Sequence, residues 1–339
     1  MTSALKQQNG VFYTTGDNPF SHGRFIRWAL EAGARETTIL EPFAGANHII
    51  AMLQEVDVCR RYASFDINPQ GRSVSMRDTL KDFPRHYHVC ITNPPWLYKS
   101  RAKRLNLTYP DTPWDDLYKH CLQLCLDHCP YVAALVPASF LNSHHFLRRL
   151  DSVIMVQKRL FRDTENPVCL ALFCREAVTE TDIFVDDKPI GTLSALRAFL
   201  PTQSRKDITF NVRHGALGLM AIDNSVEPSI RFCWGDDVDP YAVRHSSRSI
   251  TRIDMGMTHV TQRLIDRLND QLAHFREKTY DVFMTTFKGI RRDGQYRRRL
   301  DYTLARKMMT EWGEQGVQAL SPPFHKKHVI KSDKKDDCS

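Results

Sequence analysis

The chain has 339 residues, 42% hydrophobic and 25% charged, with a formal net charge of +8 at pH 7. These proportions fit a soluble globular protein of two domains, or one large domain with an added lobe; no apolar run reaches membrane-spanning length, and the first residues lack the apolar core of a secretory signal. The expectation is a cytoplasmic protein with a polyanionic partner and no membrane contact, and nine cysteines in no pairing pattern suit free thiols in a reducing compartment.

In chain order, Phe12, Tyr13 and Thr14 precede a helical pattern at Phe25, Ile26, Trp28, Ala29 and Leu30. Residues 37–40 read as a strand running into Glu41-Pro42-Phe43-Ala44-Gly45-Ala46-Asn47 and then a helix. A strand, a tight glycine turn and a helix start make a cradle for a nucleotide-like ligand. A second strand over residues 61–65 ends on Asp66, whose carboxylate can accept from both hydroxyls of a ribose, with Ile67 placed to pack on a flat ring. Residues 89–92 form a β-branched strand that stops at Asn93-Pro94-Pro95-Trp96, because consecutive prolines cannot donate to a sheet ladder. The Asn93 amide and the Pro94 carbonyl are acceptors for the two hydrogens of a planar amino group, and Trp96 offers a ring face for stacking. A charged loop follows, in which Lys99, Arg101, Lys103 and Arg104 are placed to grip phosphate.

Residues 114–129 have helical spacing. Cys121, Cys125 and Cys129 share one face, but metal-binding cysteines normally come as close pairs on separate elements, so these read as core residues and no metal is expected. Three more strands, at 131–136, 152–156 and 168–173, complete a doubly wound α/β domain.

Asn93-Pro94-Pro95-Trp96, with the motif beginning at Glu41 and the leading Phe12-Tyr13-Thr14, resembles the S-adenosylmethionine-dependent methyltransferases that modify amino groups of DNA bases, in their gamma order. The resemblance implies a Rossmann-like sheet with a C-terminal target-recognition lobe. It assigns Phe12, Tyr13, Thr14, Glu41, Phe43, Gly45, Asp66, Ile67 and Asp78 to the cofactor, Glu41 to its ammonium and Asp78 to its adenine. Asn93, Pro94, Pro95 and Trp96 become the catalytic turn, and Phe161 the second wall around a flipped base. Adenine-N6 in duplex DNA is the implied target, with a companion restriction endonuclease as a further partner. Cytosine-N4, RNA bases, protein glutamine and a catalytically silent nucleic-acid-binding subunit are the alternatives. The chain departs from the pattern at Asn47, where a second glycine is usual; asparagine tolerates positive φ, so the turn is expected to survive.

The character changes after Arg175, and the expected boundaries are a catalytic domain over 1–178, a target-recognition region over 179–320 and a tail over 321–339. Residues 183–191 read as a hairpin and 261–287 as largely helical. Between Phe287 and Lys307 there are eight Lys or Arg and two Asp. Within that run Arg291, Arg292, Arg297, Arg298 and Arg299 are expected to be too crowded to pair internally, and Arg297, Arg298 and Arg299 to meet DNA phosphates.

Overall fold

In the computed structural model, residues 18–156, 168–256 and 258–314 are described. Phe12, Tyr13, Thr14, Phe161 and the expected tail lie outside them. Helix α1 (Gly23–Glu31) buries Phe25, Trp28 and Ala29 at helical spacing. The Trp28 indole N–H donates to the Phe173 carbonyl at 3.2 Å, so this helix is bonded to the sheet as well as packed on it. Then follow β1 (Thr38–Glu41), α2 (His48–Glu55), β2 (Arg61–Asp66), β3 (Ser75–Met76) and β4 (Val89–Thr92). After the proline turn come α3 (Lys99–Arg104), α4 (Leu117–His128), β5 (Tyr131–Pro137), β6 (Leu150–Val156) and β7 (Val168–Phe173). The basic segment expected to be a loop is therefore the short helix α3.

A hairpin of β8 (Asp182–Val185) and β9 (Lys188–Thr192) ends in α5 (Leu193–Arg197). All nine strands form one sheet in the order β3-β2-β1-β4-β5-β7-β6-β8-β9. Only β7 and β9 run against the common direction. The result is the expected α/β doubly wound sheet, departing from a 3-2-1-4-5-6 order by β7 inserted between β5 and β6. Every residue of β4 and β7 is buried, as befits central strands covered on both faces. Cys121 and Cys125 are fully buried and Cys129 is 2% exposed, so these cysteines pack in the core.

The expected boundary after residue 178 falls within the span of the main sheet. The hairpin beyond it belongs to the main sheet, because β8 pairs in parallel with β6 from Ser152↔Asp182 to Met155↔Val185. Local sequence marks the hairpin but not which strand receives its edge.

The second lobe holds an antiparallel sheet of β10 (Thr209–Phe210), β11 (Leu217–Met220), β12 (Arg231–Trp234) and β13 (Ile250–Asp254), in the order β10-β13-β11-β12. Against it packs α6 (Gln262–Thr279), which buries Leu264, Ile265, Leu268, Leu272 and Phe275. The Asn269 amide accepts from Phe232 N–H at 2.8 Å and donates to Phe232 O at 2.9 Å. It thereby satisfies the edge strand β12 as a further strand would. A second hairpin, β14 (Thr285–Ile290) with β15 (Tyr296–Arg299), precedes α7 (Tyr302–Glu314).

Apart from Arg292, which is exposed, the arginines of this hairpin are not the open cluster expected. Asp223 is fully buried and forms ion pairs with Arg276 at 2.9 Å and Arg291 at 3.0 Å. Its carboxylate also accepts from the backbone N–H groups of Ser229 and Arg298, at 2.8 and 3.1 Å. Arg276 binds Asp281 and Arg291 binds Asp293, both at 2.8 Å. Burial opposes charge on Asp223, yet the Arg276 guanidinium and these donors hold its carboxyl below the ordinary value. Arg298 is 3% exposed, and Arg297 donates to Asp223 O at 2.7 Å while lying over the Phe287 ring.

Replacing Asp223 with alanine removes one carboxylate from both Arg276 and Arg291, leaves the Ser229 and Arg298 N–H groups without their acceptor, and is expected to cost about 3–5 kcal/mol. Urea unfolding of the variant checks this; an unchanged midpoint would show that the network is peripheral to stability.

Candidate active site

Glu41 ends β1 and Thr92 ends β4, neighbouring parallel strands paired through Ile39↔Val89 and Leu40↔Cys90. Their carboxyl ends lie where the connections on either side of β1 diverge, the usual position of a ligand crevice in an open α/β sheet. The Thr92 hydroxyl donates to Glu41 Oε1 at 2.8 Å and Phe43 N–H to the same oxygen at 3.1 Å. Glu41 Oε2 is buried with no hydrogen-bond partner among the described residues. Burial pushes the Glu41 carboxyl up to about 8, against the Thr92 and Phe43 bonds that lower it. A buried carboxylate oxygen without a donor suits a ligand that brings an ammonium group.

The turn after β1 is held from two sides. Gly45 and Asn47 have φ of 53° and 67°. Asn47 thus tolerates the left-handed position, and its side chain takes on a task glycine cannot: Oδ1 accepts from Ser64 on β2 at 2.7 Å, and Nδ2 donates to Ser73 at 3.2 Å. Asp66, at the end of β2, accepts from Gly45 N–H at 2.8 Å and from Asn68 N–H at 2.7 Å. Each oxygen keeps lone-pair capacity for a further hydroxyl donor. Beside it Ile67 is 68% exposed and Met76, paired with Asp66 across β2 and β3, is 75% exposed. Two open apolar side chains next to an acid make a surface for a flat ring carrying hydroxyls. Thr79 donates to Pro42 O at 3.0 Å, which brings Asp78 beside the glycine turn, although Asp78 pairs with Lys81 at 3.2 Å.

Asn93 follows Thr92 directly, so the proline turn starts one residue from the group that binds Glu41. Asn93 is half-buried, with Oδ1 shielded from solvent. Beyond Pro94 and Pro95, Trp96 is 8% exposed and belongs to the main core. This corrects the expectation of an open stacking face: the indole packs behind the turn. The exit of the turn is clamped by a residue the sequence reading passed over. Asp116 is 1% exposed and accepts from Leu97 N–H at 3.0 Å, while Leu117 N–H donates to Leu97 O at 3.0 Å. Its position just before α4 was the available signal. Burial raises the Asp116 carboxyl to about 6. Beneath the turn, Leu97, Ala102, Leu117 and Cys121 form a small apolar cluster on which Phe43 and Leu80 pack, joining the two loops of the site.

Of the expected phosphate contacts, Lys99 is exposed with its ammonium 5.8 Å from the centre of the Tyr109 ring, and Arg101 is half-buried. Arg297, Arg298 and Arg299 lie in the second lobe, committed to the Asp223 network or shielded. A separate groove of about 620 Å³ runs between Val185 of the main sheet and α6, but none of its lining residues comes from the proline turn.

No protein-family model matches the chain, and no curated protein matches it. Several solved structures overlap with it in part. The type I restriction-modification methyltransferase subunit from Streptococcus thermophilus is 14% identical, covering 51% of this chain and 47% of that one with a TM-score of 0.36. The EcoKI M protein is 13% identical, covering 46% of each chain with a TM-score of 0.32. The type IIG restriction endonuclease BpuSI is 13% identical, covering 68% of this chain and 32% of that one with a TM-score of 0.37. The chain spans about half the length of the first two. At such identity and overlap these structures say nothing of this chain's substrate, and its own residues carry the functional reading.

Protonated Glu41 favours the folded state, so its contribution is present at acid pH and lost as pH rises through about 8. Thermal unfolding between pH 6 and 9 is expected to show the wild-type protein losing stability over that range and Glu41→Gln not doing so. Parallel curves would mean that Glu41 is already ionised.

Proposed function

We propose that the chain is an S-adenosylmethionine-dependent methyltransferase acting on the exocyclic amino group of adenine in DNA, with the base turned out of the duplex. The observation that carries this reading is the pairing of Glu41, whose buried Oε2 lacks a donor, with an Asn-Pro-Pro-Trp turn starting one residue beyond its Thr92 partner. The first feature suits the cofactor's ammonium, and the second suits a planar amino group. The ribose falls to Asp66 and the adenine ring to Ile67 and Met76. When bound, S-adenosylmethionine supplies an electrophilic methyl group.

Asn93 Oδ1 and the Pro94 carbonyl accept the two hydrogens of the target nitrogen, draw its lone pair out of conjugation and aim it toward the cofactor. The same oxygens stabilise the positive charge that develops on nitrogen. Pro95, the packed Trp96 and the Asp116 clamp keep those acceptors in place, so little reorganisation is needed during transfer. Phe161 is the proposed opposite wall for the base, and Lys99 and Arg101 the contacts to flanking phosphates. Phe12, Tyr13 and Thr14 are the proposed lead over the cofactor. The second lobe is the proposed target-recognition lobe, and a companion restriction endonuclease is a proposed partner.

Asn93→Ala is expected to lower methyl transfer by at least about two orders of magnitude, on the scale of losing one transition-state hydrogen-bonding group, while calorimetry shows unchanged cofactor binding. Activity within a few-fold of wild type overturns the assignment. Asp66→Ala is expected to weaken cofactor binding and leave DNA affinity in place. Mass spectrometry of nucleosides from DNA and RNA exposed to the protein decides the substrate: methyl groups found only in RNA, or only on cytosine, overturn adenine in DNA.

A further inference from the structure

Besides single exposed cations such as Lys288 and Arg292, the second lobe gathers open positive charge on two loops away from β15. Residues 211–214 follow β10, and residues 241–248 precede β13. Together they hold Arg213, His214, Arg244, His245 and Arg248, with Tyr241 and no acid. All five basic residues are exposed, and Tyr241 is 93% exposed. Arg213, Arg244 and Arg248 have no side-chain hydrogen bond or ion pair among the described residues. Of the neighbouring acids, Asp236 pairs with Arg252 at 3.6 Å, while Asp237 and Asp239 accept from the backbone N–H groups of Trp234 and Tyr241.

The loops are bound to each other and to the sheet. Asn211, at φ 60°, donates from Nδ2 to the carbonyls of His245 and Ser247 at 3.0 and 3.1 Å. Its backbone N–H donates to the Thr251 hydroxyl at 2.8 Å. The Arg252 guanidinium donates to Arg213 O at 3.0 Å, and Ser247 N–H donates to Arg244 O at 2.9 Å. Asparagine tolerates the left-handed region better than most residues, because its short polar side chain bonds locally to the backbone. Here that conformation joins two basic loops into one platform.

We infer that this platform, rather than the β15 arginines, is the surface on which the second lobe receives the phosphate backbone of duplex DNA. Unpaired guanidiniums on a fixed scaffold repel one another until phosphates complete them, and arginine binds phosphate through two parallel donors. An exposed tyrosine among them gives a ring to lie against sugar or base. The inference rests on the proposed DNA methyltransferase, in which a single extracted base needs its flanking backbone held.

The test uses the full chain and a mixed-sequence 30-base-pair duplex, with binding curves at several salt concentrations. Replacing Arg213, Arg244 and Arg248 together by alanine is expected to weaken binding and to make the logarithmic salt slope shallower by up to about 2–3 units. Arg60→Ala with Arg85→Ala, at exposed positions preceding β2 and β4, is expected to leave both unchanged. Curves of the triple variant that overlay wild type overturn the inference, and so does an equal loss in the Arg60/Arg85 control, which would mean diffuse charge. A loss confined to duplex RNA of the same length overturns DNA as the occupant. Calorimetry with S-adenosylmethionine separates the two readings: an altered salt slope in a protein that binds no cofactor supports the platform and removes the methyltransferase.

Discussion

The hydrogen bond from Thr92 to Glu41 joins the ends of β1 and β4, and the arrangement of the site depends on it. It satisfies one oxygen of a fully buried carboxylate and leaves the other without a donor. Such a group is costly to the empty protein, which answers by keeping the proton. In the proposed function a ligand ammonium removes that cost, so part of the binding energy is relief of a penalty already present in the fold. The bond also ties the glycine turn after β1 to the proline turn after β4, because Asn93 follows Thr92 without an intervening residue.

Around this pair the loops are made stiff by different means. The turn after β1 relies on two positive-φ residues and on side chains from β2 and residue 73. The turn after β4 relies on consecutive prolines, on Trp96 in the core behind it and on Asp116 at its exit. Burial of Asp116 is unfavourable to its charge, and the return is a fixed backbone at Leu97. The same logic recurs in the second lobe, where Asp223 gathers Arg276, Arg291 and the backbone of β15. Both acids trade solvation for position, and both stand far in sequence from what they organise.

That separation explains the chief revision of the charge map. A run of arginines near the C-terminal end looks unpaired when only its neighbours are counted. Asp223 lies 68 residues before Arg291, and bringing it inside pairs it with Arg291 and with the backbone N–H of Arg298. A further concentration of charge open to solvent falls on loops where no acid folds back onto the arginines.

The sequence by itself determined the alternation of strands and helices, the end of β4 at Asn93 and the acid at the end of β2. Each follows from local rules: β-branched runs, proline's missing donor, apolar spacing along α1 and α4. It also determined that Asn47 could stand in the left-handed position. Only the tertiary structure decided that β8 and β9 extend the main sheet, that Trp96 turns inward, that Asp116 clamps the turn and that Asp223 pairs with Arg276 and Arg291 while binding the backbone of β15. These depend on contacts between residues remote in the chain, and burial and ion pairing of that kind are properties of packing that no local pattern encodes.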